Sequence, residues 1–159
     1  MPMLLDQAGF RKRGCCHIRS DHEGCCSLST VLLVEDDVDD VVLIGLAFRR
    51  GEMPCQLQTV PTIAQARDYL CGRGIYGDRK EFPLPSIIIT DLRFASPGES
   101  GLQFLQWLHG SPFQTIPIAC ITDSEEPSNL GAVRPLVTAC IRKSPLFEDL
   151  AAMTRQILG

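Results

Sequence analysis

The stretch Pro85-Ser86-Ile87-Ile88-Ile89-Thr90-Asp91-Leu92-Arg93 decides how the rest of the chain is read. Three consecutive Ile after a Pro-bounded start suit a short strand buried on both faces, as in a parallel sheet. The run is too short for a core helix, and its β-branched side chains disfavour one. It stops at Asp91. A carboxylate just past the carboxyl end of a buried parallel strand stands where open α/β sheets gather their ligands. Asp is also a common turn or cap residue, so Asp91 alone leaves both readings open.

On the amino-terminal side, Thr30–Val34 reads as a second buried strand, ended by Glu35-Asp36-Asp37. A helical stripe follows over 38–50, with Val38, Val41, Val42, Leu46 and Ala47 on one face, stopped by Gly51. Gln56–Val60 alternates like a more exposed strand. Thr62–Leu70 is expected as a helix with Ile63, Ala66 and Leu70 inward, and Gly72–Asp78 as a loop.

Beyond Asp91, Phe94–Ser100 is a loop rich in Pro, Gly and Ser, and Gly101–Leu108 a helix presenting Leu102, Leu105 and Leu108. Ile116–Ile121 is a strand whose Pro117 must lie near its start or at a free edge. A short helix over 125–133, a strand Val137–Ile141 and a last helix Leu146–Leu158 complete the pattern, with Pro145 suited to that helix's first turn. Strands alternating with helices predict an α/β fold: a (βα)5 doubly wound parallel sheet inside a three-layer α/β/α sandwich.

The chain has 159 residues, 45% hydrophobic and 21% charged. That is room for one ordinary domain plus a short appendage, in the range of globular rather than disordered chains. Its net charge of −4 gives no field that would attract nucleic acid or an anionic membrane. No apolar run approaches a membrane span, and Met1–Gly14 lacks the pattern of a cleaved export signal. There are 8 Cys. Cys55, Cys120 and Cys140 fall within apolar patterns, as expected of buried free thiols in a reducing cytoplasm. Residues 1–28 carry no sustained period and are expected to form a flexible tail, with the folded domain over 29–159. The tail's Cys15-Cys16, Cys25-Cys26, His17 and His22 are zinc-type ligands, but without CxxC spacing.

Five polar residues fall at carboxyl ends of the expected strands: Glu35, Asp36, Asp91, Thr122 and Lys143. With strand order 2-1-3-4-5, the first and third strands are neighbours at the switch point, so Glu35, Asp36 and Asp91 converge. Three carboxylates so close call for a cation, and an open, oxygen-only shell suits Mg²⁺. A carboxylate can attack a phosphoryl group, a cation and Lys143 can neutralise its charge, and the Thr122 hydroxyl can donate to a phosphate oxygen. Each residue also has a bland reading: a helix-capping acid, a β-former, a solvated Lys. Five in this order at the same edge of the sheet favour a site.

Val31-Leu32-Leu33-Val34-Glu35-Asp36-Asp37, Ile87-Ile88-Ile89-Thr90-Asp91-Leu92, Ile121-Thr122 and Lys143 together resemble the motif set of response-regulator receiver domains of the CheY-like superfamily, a flavodoxin-like fold. The segment from Asp68-Tyr69-Leu70 through Gly74-Ile75-Tyr76-Gly77-Asp78-Arg79 to Phe82-Pro83-Leu84-Pro85 is similar to that of the small single-domain receivers found beside bacteriophytochrome-type histidine kinases. The resemblance implies a cytoplasmic, stand-alone receiver of a two-component phosphorelay, phosphorylated on Asp91. It implies that Asp36 ligates Mg²⁺ with Asp91, that Glu35 acts through water, and that Thr122 and Lys143 contact the phosphoryl group. Its implied partners are a histidine kinase and a downstream protein reached by contact, with room for a homodimer, and neither nucleic acid nor membrane.

The alternative is a non-phosphorylated pseudo-receiver that only binds protein. Asp37-Val38-Asp39 is also faintly similar to the DxD of haloacid-dehalogenase phosphatases, but helix capping explains those acids better. Four features depart from the receiver pattern. The loop after Asp91 is longer, Cys140 stands where an aromatic residue is frequent, Ser144 separates Lys143 from Pro145, and Asp123 adds a charge beside Thr122.

Overall fold

The computed structural model describes residues 28–93, 98, 100–122, 131–143 and 147–159. The expected tail, Asp123, Ser144, Pro145, most of the loop after Asp91 and most of the expected helix over 125–133 lie outside those residues; 131–133 are helical.

Five strands form one parallel sheet: β1 (Ser29–Val34), β2 (Cys55–Val60), β3 (Ile87–Asp91), β4 (Ile118–Thr122) and β5 (Ala139–Arg142), in the order β2-β1-β3-β4-β5. The register pairs Val34 with both Val60 and Thr90, and Asp91 with Ile121. Alternate residues of each inner strand face opposite layers. Leu32, Val34, Ile88 and Cys120 pack with helices α2 (Ile63–Cys71) and α3 (Gly101–His109). Val31, Leu33, Ile87, Ile89, Ala119 and Ile121 pack with α1 (Val38–Arg50) and α4 (Glu148–Leu158). The three Ile of β3 are all fully buried, each contributing about 2 kcal/mol of hydrophobic stabilisation. This is the three-layer doubly wound sandwich expected from the sequence. No helix among the described residues is long and apolar enough to cross a membrane.

Helix starts follow their capping residues. The Asp37 side chain accepts from the N–H groups of Asp39 and Asp40, and Thr62 from that of Gln65. Ser100 and Gln103 form a reciprocal capping box at α3. β4 begins two residues later than its apolar run suggests. Pro117 has no N–H to give the ladder, yet its carbonyl accepts from the Ile88 N–H at 3.0 Å.

α1 corrects the sequence reading. Val38, Val42 and Leu46 are exposed, and the inward face is Ile44, Ala47 and Phe48, with Val41 partly packed. The helix carries two apolar stripes, and α4 covers the one that includes the large Phe48. The thiols also differ from expectation: Cys120 is buried, Cys55 half-buried and Cys140 exposed on the edge strand β5.

The expected loop after α2 is an ordered strap. Gly72, in the left-handed region at φ 65°, ends the helix, and Gly74–Gly77 form a 3-10 turn. Tyr69, Tyr76 and Phe82 then pack as an aromatic trio. The Arg79 guanidinium donates to the carbonyls of Tyr69, Leu70 and Phe82 at 2.7–3.2 Å, and the Tyr69 hydroxyl donates to that of Pro83 at 2.8 Å.

Candidate functional site

The register builds the site. Val34 lies beside Thr90, so the residues that follow them, Glu35 and Asp91, leave the sheet side by side. Thr122 ends β4 opposite Arg142, and the Lys143 N–H continues that ladder to the Thr122 carbonyl at 3.0 Å. All four residues therefore emerge at the carboxyl edge of the sheet, on its central and flanking strands.

Asp91 is 3% exposed and Glu35 2%. Asp91 Oδ1 accepts from the Arg93 N–H at 2.9 Å, and Oδ2 meets Lys143 Nζ at 2.7 Å. Lys143 Nζ also donates to Asp40 Oδ2 at 2.5 Å and lies 3.6 Å from Glu35 Oε2. Glu35 Oε1 accepts from the Asp37 N–H at 3.0 Å. Glu35 Oε2 is buried with no hydrogen-bond partner.

One ammonium thus faces three carboxylates. Burial, reinforced by the charge of Asp91, pushes the Glu35 carboxyl up to about 7, against the opposing pull of the Asp37 N–H and of Lys143. Burial alone would lower the Lys143 ammonium. Its hydrogen bonds to Asp40 and Asp91 outweigh that and raise it.

Ligand oxygens of Glu35, Asp40 and Asp91 lie within 4.8 Å of one another. The set is oxygen-only, and Glu35 Oε2 is a buried acceptor without a hydrogen-bond partner. Both features fit a hard divalent cation. Asp36, half-buried, lies outside that trio, and the Thr122 side chain is buried at the end of β4.

Asp40 was missed by sequence reasoning, which gave helix capping to Asp37 and Asp39 and assigned Asp40 no role. Its signal was periodic. Asp40 sits four residues before Ile44, one turn up the buried stripe, so its carboxylate is carried toward the end of the sheet rather than into solvent.

Gly101 packs against the backbone that follows Asp91. A Cβ there would lie 2.8 Å from both the Cα and carbonyl oxygen of Leu92, and 3.1 Å from that of Asp91. These are backbone atoms, so Gly101→Ala must displace the turn that follows Asp91. The expected cost is about 2 kcal/mol or more, read as a lowered Tm. Wild-type melting would show that the turn yields freely.

No protein-family model matches the chain, and no curated protein matches it. Solved structures do. The bacteriophytochrome response regulator RtBRR is 32% identical, with TM-score 0.70, over 82% of this chain and 78% of its own. The phosphorylated cyanobacterial phytochrome response regulator RcpA is 25% identical, with TM-score 0.73, over 84% and 96%. The Mn²⁺-bound form of response regulator Rcp1 is 26% identical, with TM-score 0.67, over 81% and 91%. The sheet order, the acidic strand ends facing Lys143, and a relative of that identity over most of both chains lead to one conclusion: the chain belongs to the response-regulator receiver domains, the family that includes the bacteriophytochrome response regulators.

Proposed function

We propose that this receiver accepts a phosphoryl group on Asp91 from a phosphohistidine of a histidine kinase, of the bacteriophytochrome-associated type. The observation that carries this reading is the pairing of a buried Asp91 carboxylate with Lys143 Nζ, beside the Glu35 oxygen that lacks a hydrogen-bond partner. An Asp91 carboxylate oxygen forms the new P–O bond as the P–N bond to the donor imidazole breaks and its electron pair returns to the ring. Lys143 orients the carboxylate and offsets charge on the product, and the Thr122 hydroxyl donates to a phosphoryl oxygen.

Glu35, Asp36 and Asp91 are the residues proposed to hold Mg²⁺, with Asp40 added by its place in the carboxylate trio. Bound there, Mg²⁺ supplies positive charge for the phosphoryl oxygens. A crystallised relative, phosphorylated RcpA, and another, Mn²⁺-bound Rcp1, support both parts of the reading.

The proposal extends to a cytoplasmic protein whose receiver spans 29–159, with 1–28 as a dispensable tail, and which signals to a downstream protein by contact. A chain starting at Leu28 should melt within a few degrees of the full chain, a change of at most about 1 kcal/mol. A large drop would show that the tail packs on the domain.

Incubation with acetyl phosphate, with and without Mg²⁺, tests the central claim. Acid-labile phosphate should appear on Asp91 only with the cation. No labelling under either condition would favour the non-phosphorylated, protein-binding alternative. Asp36→Ala separates the ligands: it should weaken Mg²⁺ binding, read by titration. It should also raise the Tm without Mg²⁺, because it removes one of several crowded negative charges. Unaltered Mg²⁺ affinity would take Asp36 out of the shell.

A further inference from the structure

Two thiols outside the carboxylate cluster face each other across the sheet. Cys120 on β4 and Cys140 on β5 are register partners in a parallel pair, and their sulfurs are in direct contact at 2.6 Å. Neighbouring strands lie about 4.8 Å apart, within the Cα separation of roughly 4.4–6.8 Å that a disulfide spans. The two thiols are unequal. Cys120 is fully buried in the core beneath α2 and α3, whereas Cys140 is exposed on the edge strand. Burial, and then the hydrogen bond it donates to Cys140, push the Cys120 thiol up. It is therefore shielded from solutes, and its sulfur's accessible neighbour is Cys140.

We propose that Cys120 and Cys140 form a reversible redox pair, in which Cys140 meets a peroxide and Cys120 resolves it into a disulfide joining β4 to β5. In the first step the Cys140 sulfur forms an S–O bond as the O–O bond of hydrogen peroxide breaks, giving a sulfenic acid and one water. In the second, the Cys120 sulfur displaces the hydroxyl of that sulfenic acid. The S–S bond forms, and the Cys120 proton leaves with the hydroxyl as a second water. Two thiols give up two electrons to one peroxide, and a dithiol reductant reverses the change. The bond would tie the strands two residues before Thr122 and three before Lys143. Oxidation therefore restrains the strand ends that present both side chains. Transient, sensing disulfides of this kind are compatible with a reducing compartment.

The test uses the full chain. Protein is treated with a small excess of hydrogen peroxide, unfolded in iodoacetamide, and cleaved on the amino side of Asp. Cys120 is then the only Cys of fragment 91–122, and Cys140 the only Cys of fragment 123–148. The two fragments should be recovered covalently joined and should separate with dithiothreitol. The oxidised protein should melt roughly 5–10 °C higher, because the bond closes a loop of about 20 residues. Cys140→Ser, a change at an exposed position, should lose both the joined fragments and the shift. Any other state of Cys140 in the oxidised wild type, whether alkylated, over-oxidised or joined to a different cysteine, would overturn the pair.

Discussion

Asp91→Asn should reduce labelling by acetyl phosphate to background while leaving the fold intact. The substitution is nearly isosteric, and the amide oxygen can still accept from the Arg93 N–H that now bonds Oδ1. What disappears is the anionic oxygen, since a neutral amide is no nucleophile toward phosphorus. Stability should change little, because two effects oppose. The variant loses the 2.7 Å ion pair with Lys143, but that ammonium keeps Asp40 at 2.5 Å. It also relieves Glu35 of the Asp91 charge that helps to raise its carboxyl. A net change within about 1 kcal/mol follows, or a few degrees in Tm. Phosphoprotein from the variant equal to wild type would remove Asp91 as the acceptor. Loss of both labelling and fold would instead make its role structural.

Lys143→Met should lower stability and make it depend on Mg²⁺. The replacement keeps an apolar stem of similar length, so it tests the charge rather than the packing. Removing one partner of a buried ion pair costs about 3–5 kcal/mol when the remaining charge has no outlet. Here the Lys143 side chain is 15% exposed, and Glu35 already sits near neutral pH and can take up a proton. The expected loss is therefore smaller, about 2 kcal/mol at pH 8 in a chelating buffer, or roughly 4–8 °C. Added Mg²⁺ should recover most of it by replacing the missing positive charge. A loss that Mg²⁺ leaves untouched would show that Lys143 acts through its stem and not its ammonium.

The sheet was legible because β1, β3 and β4 are buried on both faces, and short continuous apolar runs bounded by turn signals have few other uses. Strand order 2-1-3-4-5 put Glu35 and Asp91 side by side, and the register bears that out through Val34 and Thr90. The choice of face on α1 was not legible. Val38, Val42 and Leu46 make as good a stripe as Val41, Ile44 and Phe48, and only contact with α4 decides between them. Asp40 was hidden for the same reason, since a first-turn acid looks like a cap until the buried stripe is known. The exposure of Cys140 depended on β5 being an edge strand, which its own apolar run does not reveal.

The strap between α2 and β3 has a consequence for how the molecule opens. One guanidinium, that of Arg79, serves the last carbonyls of α2 and the carbonyl of Phe82 at once. The Tyr69 ring that packs on Tyr76 and Phe82 belongs to that same helix turn. Residues 72–83 therefore cannot fray a few at a time. Withdrawing Arg79 releases the helix end, the aromatic trio and the Pro83 anchor together. Amide hydrogen exchange across the strap and the final turn of α2 should share one protection factor, although one segment is helix and the other would ordinarily be counted as loop.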